Sequence, residues 1–266
     1  MDLKSLFPTY TQNYIAEAIM EGTFGEIWTD NDENPNVAVL TALDGKLHIF
    51  GGDPSHPAAR EYVQNLKWFT MLLVGADGWK ELVYDVLEGK VLTFPRHAFS
   101  SESLDPAHLQ TLQDGLSSEF TIEKLTLDRM QSLAAKKETW REDQFFGFKD
   151  AEDFIQRGIG YCALHEGEVV CLAAAGTASS SGIEVQVDTH PNYYRRGLAT
   201  ATCAALLTDC LSQGIDPNWD AANPDSAGLA RKLGYTQLDD YDMYYNLGSK
   251  FLMKLRSFLH RIRGKE

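Results

Sequence analysis

Long apolar runs are missing from this sequence. No stretch approaches the roughly eighteen consecutive apolar residues of a membrane span, so no transmembrane helix is expected. The first residues, MDLKSLFPTYTQ, have neither a basic flank nor an apolar core of leader length, and a cytoplasmic protein is expected. Cysteine is scarce. Cys162, Cys171, Cys203 and Cys210 form no C-x-x-C pair, which favours buried free thiols over disulfides or zinc. The seven histidines are dispersed with no H-E-x-x-H spacing, so no metal is expected. Basic residues are outnumbered, 24 Lys and Arg against 38 Asp and Glu, for a net charge of -14. An acidic body argues against nucleic acid as the main ligand. It suits a cationic small substrate such as an amine, and equally suits plain solubility.

What is present is ordinary globular composition, 44% hydrophobic over 266 residues, enough for one large or two small cores. The reading is α/β, of the α+β type, in three parts: an N-terminal α/β lobe over 1–117, a main domain over 118–248, and a basic C-terminal segment over 249–266. Net charge is -10, -9 and +5 in these parts. In the first, NVAVLTALDGKLHIFGG reads as a hairpin, HPAAREYVQNL as a helix and WFTMLLVG as a buried strand. DGWKELVYDVLEG carries a helical apolar stripe closed by Gly89, and KVLTFPRHAF is a further strand. SSESLDPAHLQTLQDGLSS reads as a short helix within a linker.

In the second part TIEKLTLDRMQSLAA opens with Thr121 as a partial N-cap, since Lys124 stands where a capping-box Glu would sit. DAEDFIQRG is a short helix, and IGYCALHEGEVVCLAAAGTA is two strands around HEGE. GIEVQVDTH alternates, with Ile183, Val185 and Val187 on one face and Glu184, Gln186 and Asp188 on the other. RRGLATATCAALLTDCLSQG is an Ala- and Leu-rich helix stopped by Gly214. DPNWDA is a short strand. NPDSAGLARKLGY has Asn223 at an N-cap and Pro224 at the first helical position. DYDMYYN is a last strand. The order strand–helix–strand in 68–97 is repeated in 216–246, consistent with a duplicated lobe.

THPNYYRRGLATA lies where a strand becomes a helix. The first N–H groups of a helix are unsatisfied and the macrodipole adds positive charge, so such a turn suits an anion. Gly197 lets backbone approach a ligand closely, Ala199 and Thr200 keep the first turn small, and Arg195 and Arg196 add charge. By spacing alone this is equally a basic loop before an ordinary helix.

The stretch Tyr194-Arg195-Arg196-Gly197-Leu198-Ala199 resembles the acyl-CoA loop of the GNAT acetyltransferase superfamily, (Arg/Gln)-x-x-Gly-x-(Gly/Ala). NPDSAGLARKLGY resembles the second GNAT signature. Together with EDFIQRGIGYC and IEVQVDTHPNYYRRGLATA, they look like the branch that contains the zwittermicin-A-resistance type, of which many bacterial members exist. The resemblance covers 118–248 well and 1–117 loosely. It implies a GNAT fold, a mixed sheet that splays between its fourth and fifth strands and is flanked by helices, with the N-terminal lobe as a degenerate GNAT-like half. It implies acetyl-CoA as co-substrate. Val187 and Thr189 would pair with its pantetheine amides, Arg195, Arg196, Gly197, Leu198, Ala199 and Thr200 would hold the pyrophosphate, and Asn223 would contact the cofactor arm.

The implied activity is direct N-acetyl transfer to a primary amine of a small molecule. A backbone N–H of the fourth strand would polarise the thioester, and no acyl-cysteine forms. A carboxylate accepts the amine's proton. Glu184 falls where several GNAT enzymes place a catalytic Glu, and it reads equally as a solvated strand carboxylate. Asp188 is the second candidate and also suits fixing the turn that follows it. The loop departs from the family at Tyr194, which stands where Arg or Gln is usual. Ala230 stands where many members place the tyrosine that protonates the leaving thiolate. The alternative is therefore a GNAT-fold protein that holds acyl-CoA without catalysis. KFLMKLRSFLHRIRGKE is an amphipathic helical pattern with a basic face, expected on the acidic body, on a second subunit of a homodimer, or on a membrane surface.

Overall fold

The computed structural model describes residues 3–7, 13–75, 78–136, 138–141 and 144–249. In chain order its main elements are α1 (Tyr14–Met20), β1 (Glu26–Thr29), β2 (Val37–Ala42), β3 (Leu47–Gly52), α2 (Pro57–Gln64), β4 (Thr70–Val74), α3 (Trp79–Leu87) and β5 (Val91–Ser100). There follow α4 (Pro106–Asp114), β6 (Phe120–Lys124), α5 (Leu127–Ala135), α6 (Ala151–Arg157), β7 (Gly160–His165) and β8 (Glu168–Ala178). The last are β9 (Gly182–Thr189), α7 (Leu198–Gln213), β10 (Asp216–Ala221), α8 (Pro224–Leu233), β11 (Thr236–Gln237) and β12 (Tyr241–Asn246). The basic C-terminal pattern lies outside the described residues, apart from Ser249.

The chain forms two compact units. Among the described residues, one holds 3–7, 25–75, 78–95 and 241–249, the other 13–24, 96–136, 138–141 and 144–240. This division differs from the expected cut after 117. Residues 13–24 and 96–117 pack with the later part of the chain, and 241–246 with the earlier part.

In the first unit β2 and β3 are the expected hairpin, β3 and β4 run parallel, and β12 pairs antiparallel with β4. The parallel step requires a crossover, which α2 supplies. Its N-terminus is set by Pro57 and by the His56 ring, which accepts from the Ala58 N–H. The core gathers Val39, Phe50, Val63, Leu72, Trp79 and Tyr244.

The second unit is a mixed sheet in the order β6-β7-β8-β9-β10-β5. All neighbours are antiparallel except the β9–β10 pair. Ten of the sixteen residues of helix α7 are buried, because its Ala, Leu and Cys residues contact several strands and its flank meets α4. Leu109 of α4 is fully buried, so this segment is part of the core rather than a linker. Gly214 ends α7 in the left-handed region, φ 69°, and returns its N–H to Cys210 and Leu211. The sheet and helices share one core around Phe154, Leu172, Leu206, Leu207 and Trp219.

Thr121 is not an N-cap. FTIEK is β6, paired with β7, and the cap of α5 is Thr126, whose side chain accepts from the Arg129 N–H. Alternation of Phe120 and Ile122 against β7 outweighs the local cap signal. The four cysteines are free and buried. Burial pushes the Cys162 and Cys171 thiols up to about 11 and Cys210 to about 12, so none is a ready nucleophile.

Candidate active site

Strand β9 is the axis of the site. On one side it follows β8 down to Thr189, and His190 N–H still donates to Val170 O at 2.9 Å. On the other side its register with β10 covers only Gly182–Glu184 against Asp216–Asn218. Beyond that point β10 pairs instead with β5, Trp219 against Phe99 and Ala221 against His97. The sheet therefore opens between β9 and β10 from Glu184 onward. Successive residues of a strand direct their N–H and C=O to opposite edges. With His190 bonded to β8, Asp188 and Gln186 also face β8. Val187 and Thr189 then present their backbone groups to the opening.

The opening leads to the N-terminus of α7. A short 3-10 turn over Pro191–Tyr193 redirects the chain after β9. Arg195 and Gly197 both lie in the left-handed region, φ 63° and 82°. The first intrahelical bond runs from Ala201 N–H to Gly197 O, so the amides of Leu198, Ala199 and Thr200 precede it. A Cβ on Gly197 would meet nothing within 4 Å, so the turn borders open space. Leu198 turns its side chain into the core. Arg196 lies over the Phe120 and Tyr193 rings, 5.8 and 5.4 Å from their centres, with Glu119 at 3.7 Å. Its charge is thus partly engaged beside the loop. Tyr194 is 60% exposed.

At the closed end of the opening stands Glu184, only 7% exposed. It is no solvated strand carboxylate. Helix α1 packs on β8 and β9 and covers this face. Asn218 Nδ2 donates to Glu184 Oε1 at 2.8 Å. Burial pushes the Glu184 carboxyl up to about 8. The neighbouring Asp220 carboxylate adds to the rise, while the Asn218 amide, the Arg96 guanidinium and the Tyr14 backbone N–H oppose it. Asp220 is held by Arg96, whose Nε donates to Oδ1 at 2.6 Å and whose Nη2 donates to the backbone O at 3.2 Å. Asp216 accepts from Tyr14 OH at 2.5 Å and from Ser101 Oγ.

Asp188 shares the Glu184 face four residues further along, about 13 Å away at strand spacing. It lies toward the α7 loop, so the two carboxylates cannot serve one proton. Asn223 caps α8, its Oδ1 accepting from Ser226 N–H at 2.9 Å. Ala230 is fully buried in the core. Tyr235 donates its hydroxyl to Pro217 O at 2.8 Å and is equally buried. Trp219 is a core residue whose Nε1 donates to Ser226 Oγ. Tyr14, Arg96, Asp216 and Asn218 carry no motif in the sequence. Only the alternation of Asp216, Asn218 and Asp220 in DPNWDA hinted that β10 bears a polar face. Gln144, 1% exposed, donates Nε2 to Gln186 O at 3.0 Å, and its buried Oε1 has no partner.

The family model described as GNAT acetyltransferase matches residues 4–244. The chain belongs to the GNAT acetyltransferase family. This GNAT acetyltransferase is 24% identical over 257 residues to the uncharacterized N-acetyltransferase YdfB of Bacillus subtilis strain 168, covering 92% of this chain and 94% of that one. It is 30% identical to a GCN5-related N-acetyltransferase-like protein from Streptococcus suis of known crystal structure, with TM-score 0.78 over 91% of this chain and 96% of that one. A GCN5-related N-acetyltransferase from Kribbella flavida shares the fold, at TM-score 0.59 and 16% identity, over 88% of this chain and 95% of that one. In this GNAT protein no described helix is long and apolar enough to cross a membrane. Among the described residues no group of three or more His, Cys, Asp or Glu could hold a metal ion.

Proposed function

We propose that this acetyltransferase moves an acetyl group from acetyl-CoA to the primary amine of a small molecule by direct transfer. The buried Glu184 at the closed end of the β9–β10 opening carries this reading. A carboxyl held near 8 is matched to removing a proton from an alkylammonium at neutral to mildly alkaline pH. The residues present suit acetyl-CoA. The β9 edge at Val187 and Thr189 offers backbone groups to a pantetheine chain. The Leu198, Ala199 and Thr200 amides, with Arg195, Arg196 and the Cβ-free Gly197, suit a pyrophosphate. Asn223 stands at the start of the next helix. The unpartnered Gln144 Oε1 beside β9 is a further acceptor that a bound molecule would satisfy.

Acetyl-CoA supplies the activated thioester. Ionised Glu184 takes the ammonium's proton, directly or through one water. The freed amine forms the C–N bond as the C–S bond breaks, and the proton that the acylated nitrogen sheds passes to the departing sulfur. Backbone N–H groups of β9 face the developing oxyanion. Asp188, about 13 Å further along β9 at strand spacing, is read as fixing the turn that follows it.

A second reading, an acyl-CoA-binding protein without catalysis, is favoured by one observation. Ala230 is sealed in the core, so α8 offers no hydroxyl for the leaving thiolate. A thiol-release assay with acetyl-CoA and a panel of primary amines separates the two. Release with at least one amine, lost in Glu184→Gln, supports transfer. Tight CoA binding with no release across the panel supports the second reading.

A further inference from the structure

We propose that Asn218, Asp220 and Arg96 are positioning residues that orient the Glu184 carboxyl and govern when it ionises. This deepens the acetyl-transfer reading and rests on it only for the base's role. The geometry comes from two strands. Asn218 is the register partner of Glu184, and its amide fixes one carboxyl oxygen at 2.8 Å. Asp220 lies two residues further along β10, on the same face and about 7 Å on. It pairs with Ala98 of β5, which places Arg96, two residues from Ala98, diagonally across on that same face. The guanidinium grips the Asp220 carboxylate and backbone oxygen together. Arg96 and Asp220 keep side-chain exposures of 23% and 17%, so solvent reaches this pair while Glu184 is buried.

Toward Glu184 come, from α1, the Tyr14 hydroxyl and backbone N–H, from β10 Asn218 and Asp220, from β5 Arg96, and after α8 the buried Tyr235. Tyr14 and Tyr235 stay neutral at working pH, since burial raises both hydroxyls above their ordinary range. That leaves Asp220 and Arg96 as the charges that act on Glu184. Asp216 is satisfied by Tyr14 and Ser101. The Arg96–Asp220 pair is therefore the adjustable part. Removal of the carboxylate favours the Glu184 anion, and removal of the guanidinium disfavours it.

The test is carboxyl-carbon NMR titration of Glu184 in the ligand-free full chain, repeated in variants. Asp220→Asn should lower the midpoint by on the order of one pH unit, and Arg96→Gln should raise it by a similar amount. Arg96→Lys should return the midpoint toward wild type, and Asn218→Ala should raise it. Opposite shifts from the two halves of one ion pair are not expected of a merely structural contact. Equal or same-direction shifts in Asp220→Asn and Arg96→Gln would overturn the proposal. If Arg96→Gln does not fold, Asp220→Asn and Asn218→Ala still must move in opposite directions. The pH limb of acetyl transfer in each variant is the second readout. Correct NMR shifts without turnover would leave the network standing while the acetyl-transfer reading falls. Turnover with unmoved midpoints would do the reverse.

Discussion

Replacing Glu184 by Gln should make the protein more stable while removing its activity, and the gain should grow with pH. The ordinary carboxyl value is 4.5, and in the fold it stands at about 8. Between these values the folded chain keeps a proton that the unfolded chain releases. Stability therefore falls as pH rises from about 4.5 to about 8 and levels off above it. With 1.36 kcal/mol per pH unit, the cost is about 1 kcal/mol near pH 5, about 3 near pH 7 and about 5 near pH 9. A Gln at 184 is neutral throughout, and its side-chain oxygen can still accept from Asn218. The variant should gain nearly these amounts. For a chain of this size each kcal/mol is about 2–4 °C in Tm, so a rise of ~10 °C or more is expected near pH 9. Urea titrations of both proteins near pH 5, 7 and 9, together with thermal melts, measure it. A gain that is flat with pH, or a loss that deepens with pH, would refute the assignment of Glu184 as a buried neutral acid.

Tyr194→Arg, at a 60% exposed loop position, should tighten CoA binding severalfold, and more at low salt, by isothermal titration; unchanged or weaker binding would mean the loop is read in the wrong register. Gly197→Val places a branched side chain at φ 82° and should cost about 1–2 kcal/mol in urea titrations, with a raised KM for acetyl-CoA; neither effect would clear this turn of a role. With Glu184 as the proposed base, acetyl transfer should rise with pH through a limb near 8, where its carboxyl ionises; a limb confined to pH 4–5 in the kcat/KM profile would point to another base. Leu207→Ala, fully buried in α7, should cost about 2–5 kcal/mol by denaturant titration, whereas a loss under 1 would contradict the packing described.

Elements whose signal is local were legible. β9 alternates, α7 carries an unbroken Ala and Leu surface with a glycine stop, and α8 opens on Asn223-Pro224. Thr121 shows the limit of local signals. A threonine before apolar residues looks like a cap, yet pairing with β7 made it strand, and the cap moved to Thr126. The loop and the candidate base could be placed because they lie on one strand and its exit. What surrounds the base could not. Tyr14 and Asn218 bond Glu184, and Arg96 acts on it from beside Asp220; these are three separate stretches of chain, and no spacing rule joins them. Burial of Glu184 was equally invisible, because it depends on α1, a helix of seven residues near the start of the sequence.

The strand–helix–strand runs seen in 68–97 and 216–246 close in a reciprocal way. β5, which ends the first run, pairs with β10, which begins the second, and β12, which ends the second, pairs with β4, which begins the first. Each run thus lends its last strand to the other. Neither half is a separable module, and a cut at any single peptide bond between them deprives both of a strand. During synthesis the consequence is temporal. Tyr14 must wait for Asp216, 202 residues later, which at ribosomal speeds of about 5–20 residues per second is ~10–40 s. For that interval the nascent chain carries an unfinished sheet edge, and β4 stays without β12 until almost the whole chain has emerged. Such a fold has reason to depend on whatever shields open strand edges in the cell while translation proceeds.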